Sequence, residues 1–210
     1  MSLTSYSGLQ TAIADWADRA DLDAKIPDFI ELAEARINKI LRIRQMERRS
    51  QMSTIGNDAY YGLPPGWLSG RALSVQNASV RGNYDLEYRT PESFDQMGYD
   101  INGVPKYYTV IGNELKLRPT PDAVYTVQTV YYKKLDSLSD SQTGNEVLSD
   151  YPDIYLYACL LEAAVYLKDK DAAMSYGKLF EAAVTGAQDA DSADRHSGGA
   201  MHVVGEQIGI

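Results

Sequence analysis

Between Gly62 and Pro121 no long helix can form, because Pro64, Pro65, Pro91, Pro105, Pro119 and Pro121 interrupt the chain at short intervals. The segments on either side read differently, with apolar residues at helical spacing. The chain therefore changes its hydrophobic period twice, and a fold must place helices from both ends around a central β-region.

Before the break, Tyr6, Leu9, Ile13, Trp16, Ala17 and Ala20 share one helical face, with Thr4 or Ser5 as cap. Pro27 suits the first turn of a second helix whose stripe is Ile26, Ile30, Ala33, Ile37, Ile40 and Leu41. That helix is expected to run to about Arg48. After the break, Pro152 opens a segment through Lys168 that is apolar on nearly every side, which predicts a helix buried all round. Asp171 is read as the cap of a fourth helix carrying Ala173, Tyr176, Phe180, Ala183, Val184 and Ala187.

Within the break, strands are expected over Arg71–Gln76, Tyr84–Arg89, Lys106–Ile111, Glu114–Arg118 and Tyr125–Lys133. Gly112-Asn113, parting two of them, reads as a two-residue hairpin loop. The expected fold is α+β: a four-helix bundle with a small, mostly antiparallel β-insertion between helices 2 and 3, and an extended C-terminal tail. Its expected parts are a bundle from 1–55 and 150–190, a β-insertion at 56–135, a polar connector at 136–149 and a tail at 191–210.

Chemistry is sparse. The two histidines, His196 and His202, both lie in the last fifteen of 210 residues, and histidine supplies most general bases. No phosphate-binding glycine loop and no nucleophile elbow occurs. Cys159, the single cysteine, falls in the most apolar helix and reads as a small hydrophobe. Carboxylates such as Asp150 and Asp153, or Asp169 and Asp171, suit capping and solvation. No catalytic residue, cofactor or metal site is expected, and no membrane span. With no secretory signal visible, folding in a cytoplasm is expected.

Charge and tyrosine content bear on partners. A net charge of −9 argues against sequence-specific nucleic-acid binding. Arg36, Lys39, Arg42, Arg44, Arg48 and Arg49 form a basic run containing only Glu47 as acid, whereas residues 136–171 hold eight acids against two lysines. Either these are solvated faces, or they are complementary surfaces that meet between subunits. Sixteen tyrosines against three phenylalanines lean towards wet interfaces. The tail, with Met201, His202, Val203, Val204, Ile208 and Ile210 set among glycines, cannot bury itself and suits a partner's sheet edge or groove.

Several stretches carry a resemblance. Ile26-Pro27-Asp28-Phe29-Ile30-Glu31-Leu32-Ala33-Glu34-Ala35-Arg36-Ile37-Asn38 resembles the second helix of a family of phage head-to-tail adaptors. Gly103-Val104-Pro105-Lys106-Tyr107-Tyr108-Thr109-Val110-Ile111-Gly112-Asn113, followed by Arg118-Pro119-Thr120-Pro121-Asp122, is similar to that family's hairpin. Tyr151-Pro152-Asp153-Ile154-Tyr155-Leu156-Tyr157-Ala158 resembles its third helix, and Ser197-Gly198-Gly199 the start of its tail. The order of these matches holds from roughly residue 5 to 200.

The resemblance implies a virion structural protein assembled in the host cytoplasm. It implies a twelve-fold ring at the neck, between the portal and a tail or nozzle protein, with genomic DNA passing through; the net charge of −9 suits an acidic channel that repels phosphates. The resemblance also implies that the tail embraces portal subunits; the basic run, by its charge, suits contact with an acidic face of a neighbouring copy. Another neck protein, such as a stopper, shares this composition. Two further alternatives are a virion glycan hydrolase, which would need two carboxylates facing one cleft, and a soluble regulatory binding module, which would stay monomeric or dimeric beside a portal.

Overall fold

The computed structural model describes residues 3–76, 83–98 and 101–196, and of Ala20 and His196 only the backbone. In chain order the elements begin with α1 (Tyr6–Ala17), α2 (Ile26–Ile40), β1 (Glu47–Ser53), β2 (Tyr60–Gly62) and β3 (Trp67–Gln76). β4 (Asn83–Asp85), β5 (Glu87–Tyr88), α3 (Pro91–Asp95), β6 (Tyr107–Ile111), β7 (Glu114–Arg118) and β8 (Thr126–Lys133) follow. α4 (Glu146–Asp150), α5 (Pro152–Tyr166) and α6 (Lys170–His196) complete the order. The chain divides into two compact units, Met1–Ile43 with Ser137–Ile210, and Arg44–Asp136.

In the first unit α5 is the hub, packing against α1, α2, α4 and α6. Its Ile154, Tyr155, Leu156, Ala158, Cys159, Leu160, Ala163 and Ala164 are all buried, as expected of a helix apolar on nearly every side. The caps explain the boundaries. Ser5 Oγ accepts the Gly8 N–H at 3.2 Å to start α1, and Asp18, at φ 48°, ends it in the left-handed conformation. Pro27 sits in the first turn of α2, where its missing N–H costs nothing. Asp169, not Asp171, caps α6, accepting the Ala172 N–H at 3.0 Å.

Among the described residues, the second unit is built from two four-stranded sheets, ordered β1-β8-β3-β4 and β2-β7-β6-β5. Leu73, Val75 and Val127 of the first sheet share one buried cluster with Tyr108, Leu115 and Leu117 of the second, so the sheets enclose a core of their own. Every pairing among the named strands is antiparallel except β5 with β6. The Gly112-Asn113 hairpin forms as expected, pairing Ile111 with Glu114, and Gly112 supplies φ 61°.

The α+β class stands, but the four-helix bundle does not form: among the described residues there are six α-helices and two sheets. Two short helices were not expected. α3 is capped by Thr90, and α4 by Asn145, whose Oδ1 accepts the Leu148 N–H at 2.9 Å. Nor does the second helix reach Arg48. It stops at Ile40, Leu41 turns to extended backbone, and Glu47–Ser53 becomes β1. Glu-Arg-Arg-Ser-Gln-Met-Ser contains no β-branched residue, so local propensity is silent there. Pairing decides it, since β1 lies against β8 over seven positions, from Glu47 opposite Tyr132 to Ser53 opposite Thr126. Every second residue then turns inward, bringing Met52 against the sheet core.

Candidate assembly surfaces

The six basic residues do not form one helical stripe. Arg36 and Lys39 lie on α2, Arg42 just past its end, Arg44 in a 3₁₀ turn, and Arg48 and Arg49 on β1. Arg36 is engaged within its own unit: its Nε donates to Glu162 Oε1 of α5 at 2.8 Å. Arg42 donates to the carbonyls of Asn38 and Leu41, placing a cation where the α2 dipole is negative. Arg48 donates to the carbonyls of Gln45 and Glu47, both at 2.9 Å, and so fastens the turn that leads into β1. Lys39, Arg44 and Arg49 are exposed.

Of the expected tail, Asp191–His196 continue α6, with Asp191 buried and its Oδ2 accepting from Arg195 Nε at 2.6 Å. Ser197, Gly198, Gly199, Met201, His202, Val203, Val204, Ile208 and Ile210 lie outside the described residues.

A buried polar cluster occupies the helical core. Glu34, on the inner face of α2, accepts the Leu138 N–H at 2.8 Å. The Tyr155 hydroxyl accepts from Asn145 Nδ2 at 2.7 Å, and the same Asn145 caps α4. Burial raises both the Tyr155 hydroxyl and the Cys159 thiol well above their ordinary pKa, and the charge of Glu34 adds to each. A thiol held protonated in this way is a packing group. Among the described residues no three His, Cys, Asp or Glu side chains cluster as a metal site would need.

The tyrosines divide between core and surface. Tyr155 is fully buried and Tyr131 stacks on Trp67 at 5.1 Å, whereas Tyr60, Tyr88 and Tyr166 are about half exposed. The helical unit also carries large apolar side chains that are exposed. Trp16, Leu32, Val165, Tyr166 and Met174 are each more than half exposed. The sequence pattern did not single these out, since it assigned Trp16 to the buried stripe of α1 and Val165 to the all-buried helix.

A family model described as SU10 adaptor protein matches residues 4–203. The chain belongs to that adaptor family. No curated protein matches it. The adaptor is thus a bacteriophage structural protein and a component of the virion, as the resemblance implied. The match spans both units and reaches into the tail, so the whole adaptor, and no single unit, carries the likeness. Among the described residues of the adaptor, no helix is long and apolar enough to cross a membrane.

Proposed function

We propose that copies of this adaptor assemble as a ring beneath the phage portal, twelve-fold to match it, and link it to the tail without catalysing a reaction. The observation that carries this reading is the family match over residues 4–203. Charge supports a passage for DNA, since each copy has net charge −9 and a ring of them would repel phosphates within about one Debye length, roughly 8 Å in physiological salt. The segment 197–210 is assigned the portal-reaching role, because its apolar side chains have no helix or strand pattern of their own to bury them. Lys39, Arg44 and Arg49, all exposed, are the members of the basic run assigned to contacts with a neighbouring copy or partner.

Co-sedimentation with purified portal rings tests the proposal. The full chain should sediment with the portal at a fixed ratio, and a chain lacking 197–210 should fold yet stay in the supernatant. If the shortened chain binds with unchanged affinity, the tail has no part in docking. If the full chain does not bind, the portal reading falls.

A further inference from the structure

The helical unit exposes its apolar side chains on one strip, not evenly. Among its described residues seven large hydrophobics are exposed, and five of them gather along α5. Tyr157, Leu161 and Val165, at i, i+4 and i+8, form the outer stripe of that helix and the floor of a groove. At one end the Trp16 ring of α1 meets Tyr157 edge-on at 6.2 Å. On the α2 side, Phe29 meets Tyr166 at 5.5 Å and Arg36 bonds Glu162, so Leu32, between them on the same face, borders the floor. On the α6 side, Leu161 Cδ1 lies 4.0 Å from where a Cβ on Gly177 would stand, and Met174 is one turn before it.

We infer that this groove is where a second copy of the chain packs in the assembled ring, an inference that rests on the ring reading above. Charge is the first reason. Two molecules of net charge −9 repel unless they meet where charge is locally cancelled, and here Arg36 and Glu162 neutralise each other at the groove wall. Exposed acids, Asp15 and Asp153, lie beside Trp16 and at the end of the Tyr157 stripe, where they suit an exposed cation such as Arg49 of the next copy.

Area is the second reason. Trp16, Leu32, Val165, Tyr166 and Met174, exposed by 52% to 60%, leave on the order of 500 Å² of apolar surface open. A stable two-body complex buries about 800 Å² on each partner. The groove alone falls short of holding a dimer in solution. It suffices where the portal gathers copies and each copy is held on both sides. The chain should therefore be monomeric alone and laterally packed only on its template.

Val165→Lys and Leu32→Lys test this, with Leu179→Lys as control, since Leu179 is 43% exposed on the far side of α6 from Gly177. All three positions face solvent, and circular dichroism checks that each variant folds. Each is mixed with portal rings, and particles are sorted by electron microscopy and native mass. Wild type and Leu179→Lys should complete rings. Val165→Lys and Leu32→Lys should still bind portal as scattered single copies, with completed rings reduced about tenfold or more. Completed rings from both groove variants would overturn the inference and leave the ring reading intact. Loss of all portal binding by the groove variants would show that the groove faces the portal, which also overturns it. Wild type that binds without forming rings removes the ring reading and this inference with it.

Discussion

Glu34 and Leu138, 104 positions apart, are joined inside the helical unit by a 2.8 Å hydrogen bond from the Leu138 N–H to the Glu34 carboxylate. The bond gathers the start of the connector onto α2. Tyr6 adds a second tie, its N–H donating to the Thr143 carbonyl at 2.7 Å, so this polar stretch is fastened to the helical unit at two points. Serine, aspartate and glycine in a connector do not by themselves mean slack.

Glu34→Ala leaves a buried N–H without its acceptor and should cost about 1–3 kcal/mol. Glu34→Gln keeps a carbonyl acceptor of the same length and should retain most of the stability. Urea denaturation of both variants measures the difference, and equal losses would show that the carboxylate's charge, not its acceptor, matters.

Arg36 and Glu162 are coupled across α2 and α5, but the arginine side chain is 42% exposed. A double-mutant cycle with alanine should give a coupling of about 1 kcal/mol or less, shrinking as salt is raised. A coupling unaffected by salt would mean the pair is better shielded than its exposure implies.

Gly112 holds φ 61° with open space around the position of a Cβ, so Gly112→Ala pays for conformation and not for collision. The loss should be about 1 kcal/mol. Gly62, in β2, also has open space but no positive φ, and Gly62→Ala should stay within about 0.5 kcal/mol of wild type. Thermal denaturation of the two variants separates strain from crowding.

Cys159 and Tyr155 are both held protonated by burial, with pKa values raised in the folded state. In the unfolded chain they ionise near their ordinary values, about 8.5 and 10. The folded state then binds more protons above about pH 8.5, and stability from these groups, fully present below that pH, should fall as pH rises further. Chemical denaturation from pH 7 to 10 measures the slope. The native thiol should also resist an aromatic disulfide reagent and react only on unfolding, whereas rapid native labelling would contradict its burial.

What could be read from the sequence follows the range of the forces involved. The β6–β7 hairpin was legible because its turn chemistry lies within two residues, and α5 because apolar residues on nearly all sides leave one interpretation. β1 was not legible, since its strand state comes from β8, about eighty residues onward, and not from its own Glu-Arg-Arg-Ser-Gln-Met-Ser. The groove was hidden for a related reason. Trp16 and Val165 are apolar at helical spacing like their buried neighbours, and only the placement of α2 and α6 decides which faces stay open. Membership of the adaptor family was legible from the order of motifs along the chain, which no single residue's chemistry expresses.

On the proposed reading this chain completes a ring on the portal. Electron microscopy of purified portal rings mixed with excess full-length protein tests it most directly. The expected result is an added layer with the portal's own rotational symmetry, one copy per portal subunit, while the protein alone remains monomeric. Portal rings that emerge bare, or that carry copies in no symmetric register, would contradict it.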